Sequence, residues 1–179
     1  MNGVLQSVLG SAMAATAAAA GWVLVLDGDR LRVEAALGAG DLVGTEVAAD
    51  AGTAGFVLAS GQPMAMAVRA DDARLGEGVL ARLAQPPAGI LCVPCTAADT
   101  VVGVLELVDK AGGASFSFDD VELTTLLAGI AAAAIEDGTG GVPVRSPAEL
   151  GGELERLAGA DPVEYARVAA LVEALLARG

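Results

Sequence analysis

The sequence predicts an α+β fold that combines an antiparallel β-sheet with helices at both ends of its main domain. Strand-like segments rich in Val and Leu are separated by turns of hairpin length, of which Asp27-Gly28-Asp29 is the clearest. An Ala-rich segment with helical spacing precedes the first strand, and a second amphipathic segment follows the last one. Strand and helix periods therefore both occur within one chain.

Local signals define the elements of the main domain, residues 1–137, in order along the chain. Gly61 favours the end of an early helix, and Asp119 placed three residues before Glu122 favours the start of the last one. We predict a helix at 2–20, strands at 22–27 and 30–37, a loop at 38–52, a helix at 53–60, a strand at 64–68, a helix at 72–85, strands at 89–95 and 100–109, and a helix at 119–136.

A linker at 138–147 and a helical extension at 148–179 follow the main domain. The linker is rich in Gly and Pro. Two helix starts lie beyond it, with prolines at positions 147 and 162 next to capping residues. Helices this short need packing partners. We therefore expect them to dock on the main domain, on each other across a dimer, or on another protein.

Composition excludes several classes of function. The net charge of −13 and the absence of clustered basic residues disfavour nucleic-acid binding. The chain contains no histidine, so it holds no Ser-His-Asp triad, no Cys-His dyad and no His ligand for a metal or haem. We expect neither a metal nor a cofactor.

The N-terminal segment carries no charge before Asp27 but does not predict a membrane span. Its apolar residues are mostly Ala, and Gly10, Ser11 and Gly21 interrupt them. No basic residue precedes Arg30, so the positively charged start of a signal peptide is missing. We expect a cytoplasmic protein.

Cys92 and Cys95 form a C-x-x-C sequence, for which redox chemistry is one interpretation. On a strand, however, positions three apart point to opposite faces, so the two thiols cannot meet. The sequence also lacks a second ligand pair for zinc. Buried, inert thiols are the other interpretation, and the strand geometry favours it.

Three blocks together indicate a family. The first is Gly103-Val104-Leu105-Glu106-Leu107 with Asp109-Lys110, followed by Phe116 and Asp120. The second runs from Gly55-Phe56-Val57 to Gly61-Gln62-Pro63, and the third is the strand that ends at Val93-Pro94. Over residues 2–137 this order and spacing resembles a GAF domain, a small sensory module of signalling proteins.

The resemblance implies a five- or six-stranded antiparallel sheet, with the terminal helices on one face and a loop-covered pocket on the other. It also implies dimerisation through the terminal helices. Candidate ligand-binding residues in the pocket region are Phe56, Met66, Arg69, Asp71, Leu75 and Glu106. Each has an alternative: the apolar ones could be ordinary core, Arg69 and Asp71 could lie in a solvated turn, and Glu106 could face solvent or pair with an arginine.

Lys110 and Asp120 occupy positions that resemble a signature of cyclic-nucleotide-binding members of the family. Asp109 stands where those members have Asn, and Val121 stands where they have Glu. Both departures argue against a cyclic nucleotide. We therefore interpret Lys110 and Asp120 as a structural latch, an ion pair that ties the last helix to the sheet.

These observations predict a non-catalytic, small-molecule-sensing protein that acts as a homodimer, with a signalling protein as a possible partner and an unidentified ligand. Two alternatives remain at this stage. Some small relatives of the family reduce free methionine sulfoxide through thiols, and here Cys92 and Cys95 would have to serve. The other alternative is a dimerisation scaffold that binds no ligand.

Overall fold

The computed structural model describes residues 2–69, 72–113, 115–139 and 147–160, together with residues 162, 165, 166, 168 and 169. The chain divides into two compact units, Met1–Gly140 and Gly141–Gly179. The described part of the second unit contains the helix α4 (Pro147–Ala160). The helix predicted to begin at Asp161 lies largely outside the described residues.

Six strands form one antiparallel sheet in the first unit. They are β1 (Ala18–Asp27), β2 (Arg30–Leu37), β3 (Glu46–Ala48), β4 (Met64–Ala67), β5 (Gly89–Ala97) and β6 (Thr100–Lys110). Their order across the sheet is β3-β2-β1-β6-β5-β4, so that β1 and β6 form its centre. Three helices accompany them: α1 (Asn2–Thr16), α2 (Gly52–Ser60) and α3 (Phe118–Thr139). The prediction of an α+β fold with an antiparallel sheet is confirmed.

The two faces of the sheet carry separate hydrophobic cores. The helix-face core lies under the terminal helices α1 and α3, as predicted, and includes Leu9, Leu105, Leu107 and Ile135. The opposite-face core includes Trp22, Val104 and Val108, and is covered by α2 and by two segments, 38–51, which contains β3, and 72–88. Alternation along β6 divides its residues between the two cores.

One predicted helix boundary and one predicted helix are wrong. The first helix ends at Thr16 rather than at residue 20, because Ala17 adopts a left-handed conformation (φ 56°) and Ala18 already pairs with Lys110 in the sheet. The helix predicted at 72–85 is replaced by two short 3-10 turns, Ala73–Gly76 and Leu80–Arg82. Left-handed Gly78 separates these turns, and this conformation interrupts an α-helix.

Candidate functional site

A buried carboxyl group lies at the centre of the opposite-face core. Glu106 on β6 is only 1% exposed. Its Oε2 accepts a hydrogen bond from the indole Nε1 of Trp22 at 2.7 Å, and its Oε1 is hydrogen-bonded to the hydroxyl of Thr53. Glu106 therefore does not face solvent, and within the part of the chain that the structure describes it pairs with no arginine; these were the two alternatives considered from the sequence.

Three different elements bring this group together. Trp22 on β1 lies directly opposite Glu106 in the β1–β6 pairing, and Cys92 lies opposite it on β5. Thr53 comes from the first turn of α2, whose buried residues face the sheet. The Thr53–Glu106 hydrogen bond thus joins α2 to the central strand of the sheet.

Burial controls the protonation of Glu106. Loss of solvation raises the pKa of its carboxyl, and the hydrogen bonds from Thr53 and Trp22 oppose this effect without cancelling it. The neutral form is favoured relative to an exposed glutamate. While α2 covers it, the Glu106 carboxyl is enclosed by the core, and this burial favours its protonated, uncharged form.

The structure does not bring all the predicted ligand-binding residues together. Met66 and Leu75 are partly buried against the opposite-face core that contains the Glu106 contacts. Arg69 is exposed in the segment after β4. Phe56 is 57% exposed on α2, whereas neighbouring Thr53 on the same helix faces the sheet. Asp71 lies outside the described residues.

A cavity of about 570 Å³ lies beside α2 and is lined both by the exposed Phe56 and by residues at the edge of the opposite-face core, such as Leu58 and Met64. We call it the outer cavity. Apolar residues dominate its lining, with two carboxylates at Asp50 and Glu77. The sequence analysis missed both carboxylates, because one lies in a loop and the other in a segment predicted to be helical. No local pattern marks them as neighbours. The full lining is Ala49, Asp50, Gly52, Gly55, Phe56, Leu58, Ala59, Met64 and Glu77.

Lys110 and Asp120 lie close together where β6 is followed by α3. The Lys110 Nζ is 2.5 Å from Asp120 Oδ2, which also accepts hydrogen bonds from the backbone N–H and the hydroxyl of Ser117. Burial alone would raise the pKa of Asp120, but the bonds from Lys110 and Ser117 outweigh it and hold the pKa below its usual range. Beside them, Asp109 is left-handed (φ 56°) and accepts the Ala88 N–H at 2.7 Å.

The two thiols are free, buried and on opposite faces of the sheet, as the sequence predicted. Burial raises the pKa of Cys92 well above its usual value, with smaller contributions from Glu106 and Cys95. Burial likewise raises the pKa of Cys95 to about 12. Because the thiolate is the reactive form, neither side chain is prepared for thiol chemistry at neutral pH.

The outward surface of the terminal helices is apolar. Leu126 is 72% exposed and Ile130 is 53% exposed on α3, and Val4 on α1 borders the same surface. Neither the α1 sequence nor residues 123–135 of α3 contains a charged side chain. An apolar, uncharged surface of this kind is typical of an interaction site.

A family model described as "GAF domain" matches residues 1–136. The chain belongs to the GAF domain family. GAF domains are sensory domains of signalling proteins and are generally non-catalytic. No helix within the described part of this GAF domain protein is both long and apolar enough to cross a membrane. Among the same residues, no group of acidic and Cys side chains is placed to hold a metal ion.

Solved structures of other GAF domains share the fold. The GAF-B domain of DevS from Mycobacterium smegmatis is 23% identical, with a TM-score of 0.60, covering 77% of this chain and 94% of that one. The GAF domain of an Acinetobacter phosphoenolpyruvate-protein phosphotransferase is 17% identical, with a TM-score of 0.69, covering 80% and 86% respectively. A comparison with curated proteins finds no significant match.

Proposed function

We propose that this GAF domain is a non-catalytic, cytoplasmic sensor that works as a homodimer and responds to a small molecule bound on the sheet face beneath α2. The single observation that supports it best is the Thr53–Glu106 hydrogen bond, which joins a covering helix to the central strand of the sheet. A ligand that replaces this bond would change the position of α2. Output would then pass to a partner protein.

The distribution of charge supports the proposal of dimerisation through the terminal helices. Each copy has a net charge of −13, so a contact surface without charged side chains keeps like charges of the two copies farthest apart. The uncharged stretches are on α1 and α3, where Leu126 and Ile130 are exposed. Burying these side chains against a second copy stabilises the pair by about 25 cal/mol per Å² of apolar surface.

The proposed ligand site uses Glu106 as its central polar group. A ligand N–H or O–H would take the place of the Thr53 hydroxyl on the carboxyl, and Met66 and Leu75 would contact the apolar part of the ligand. Arg69, Asp71 and Phe56 belong to the segments that would close over it. If α2 has a second position in which the Thr53–Glu106 bond is broken, the ligand favours that position only to the extent that it binds it more tightly than the position seen in the structure.

Signal transfer would use β6. Glu106 points from this strand toward α2, while its neighbours Leu105 and Leu107 pack under the terminal helices. The proposed latch, Lys110 with Asp120, connects the end of the same strand to the first turn of α3. A change at the Glu106 face can therefore reach the dimer surface through one strand.

Native mass spectrometry of the full chain tests both the proposed homodimer and the proposed binding of a small molecule. We expect a dimer, and we expect Leu126→Glu to convert it to a monomer. Val43→Glu is the matched control, because Val43 is also exposed and apolar but lies in the loop between β2 and β3. A wild-type monomer would contradict the dimer, and equal ligand affinity in wild type and Glu106→Gln would remove Glu106 from the site.

A scaffold that binds no ligand is the second candidate, and one observation favours it. Side chains fill the face beneath α2, where Trp22, Thr53 and Glu106 are all buried. A dimer that never carries a releasable small molecule would support this candidate. The sulfoxide reductase alternative gains no support from geometry, because Cys92 and Cys95 lie on opposite faces.

A further inference from the structure

We propose that the outer cavity binds a small organic cation with an apolar body, such as a phenylalkylammonium ion. This inference goes beyond the proposed function, because it requires neither a dimer nor the opening of the face beneath α2. The volume of the outer cavity, about 570 Å³, falls within the range of about 300–1,000 Å³ that is usual for small-molecule sites.

The apolar part of the ligand has a matching wall. Phe56, Leu58 and Met64 line the cavity, and Phe56 is an aromatic side chain left 57% exposed. Small residues of α2, among them Gly55, form the floor between them. The ring of Phe56 also offers a face to a cation, which adds attraction beyond the burial of apolar area.

The backbone of Asp50 and the side chain of Glu77 both contact α2 at the cavity. A Cβ atom on Gly55 would lie 2.3 Å from the carbonyl carbon of Asp50, so only glycine allows this helix to pack against the Asp50 backbone. Glu77 reaches the first turn of the helix, where its Oε2 accepts the Gly52 N–H at 3.1 Å. Both negative charges therefore border the same cavity.

Charge decides between a cation and an anion. The N-terminus of a helix ordinarily favours an anion. Here the Glu77 carboxylate already occupies the Gly52 N–H, and Asp50 would repel a second negative group. No Lys or Arg lines the cavity among the described side chains, and neither carboxylate forms an ion pair with one of them. A cation is thus attracted by both carboxylates.

Three probes with the same apolar body test the proposal on the full chain: 3-phenylpropylammonium, 3-phenylpropanol and 3-phenylpropionate. Binding is followed by amide chemical shifts, with Gly52 and Gly55 as reporters of the cavity. We expect the ammonium ion to bind roughly tenfold more tightly than the alcohol at low salt, and the carboxylate to bind most weakly. Equal affinity for all three probes, or no binding of the ammonium ion, would overturn the proposal.

Variants locate the site. Asp50→Asn with Glu77→Gln should weaken ammonium binding roughly tenfold, since the Gln side chain still accepts the Gly52 N–H, and Phe56→Ala should weaken it about two- to fivefold. Asp41→Asn, at an exposed loop carboxylate outside the cavity, is the control and should change nothing. Glu106→Gln should also leave binding unchanged. If Glu106→Gln abolished binding while the cavity variants kept it, the cation would lie beneath α2 and the inference would be wrong.

Discussion

Replacing Glu106 by Gln tests whether the buried carboxyl is held in its neutral form. Burial raises its pKa in the folded protein above the usual 4.5, despite two opposing hydrogen bonds. Between the unfolded and folded pKa values the native state binds more protons, so the stability that this group contributes is lost as the pH rises through that window. The loss is about 1.4 kcal/mol for each pH unit that separates the two pKa values.

The Gln variant removes the titration but keeps the hydrogen bonds. Its amide oxygen can accept from the Trp22 indole, and its amide group can bond to the Thr53 hydroxyl. We expect its free energy of unfolding to lie within about 1 kcal/mol of wild type near pH 5 and to exceed that of wild type at higher pH. Glu106→Leu leaves both partners without an acceptor, which costs about 1–3 kcal/mol each, or about 2–6 kcal/mol together.

Urea unfolding followed by fluorescence measures these free energies between about pH 4 and pH 8, a range that starts below the unfolded pKa. Trp22 is the only tryptophan and contacts Glu106 directly, so its emission reports on this core. Glu122→Gln, at an exposed carboxylate on α3, is the matched control and should follow wild type. Parallel curves for wild type and Glu106→Gln across this range would refute the neutral carboxyl. A Leu variant as stable as the Gln variant would refute the role of the hydrogen bonds.

Three further changes probe the rest of the fold. Asp120→Asn should lower the free energy of unfolding by about 1 kcal/mol at neutral pH, measured by thermal unfolding. The wild type should lose stability as the pH falls below the usual Asp pKa of 3.8, and the variant should not show this loss. Gly103→Ala should lower stability by about 1–3 kcal/mol, because its Cβ would lie 2.3 Å from the Leu24 carbonyl oxygen; Gly129→Ala, which meets open space on α3, should raise it by up to about 1 kcal/mol. Both thiols should resist a water-soluble thiol reagent in the native protein and react in urea; fast native labelling would contradict their burial.

The sequence predicted features that depend on local periodicity. Alternation along a strand correctly placed Cys92 and Cys95 on opposite faces of the sheet, and the same rule separates Glu106 from Leu107 on β6. Helical spacing with a capping signal at Asp119 predicted α3 to within a few residues at each end. These features need no knowledge of distant parts of the chain.

Long-range contacts account for what the sequence did not reveal. Ala favours helix, yet the Ala-rich segment after residue 16 joins the sheet because Ala20 finds a partner at Val108. The three-residue strand β3 is too short to show a period. Trp22 and Thr53 are far from Glu106 in sequence, so no spacing rule indicates that their side chains enclose its carboxyl. The outer cavity likewise depends on Asp50 and Glu77, which are distant in sequence and line the same space.

The central position of β1 in the sheet also has a consequence for synthesis on the ribosome. Trp22 on β1 and Glu106 on β6 are 84 residues apart. The central β1–β6 pairing therefore cannot form until β6, the last strand of the sheet and a part of both cores, has been synthesised. The uncharged N-terminal helix packs mainly against β1, β2 and α3, so until α3 has also been made one of its main partners is missing and part of its apolar surface stays accessible to chaperones. We expect nascent chains that stop before β6 to be protease-sensitive, and chains that extend past α3 to become resistant in a single step.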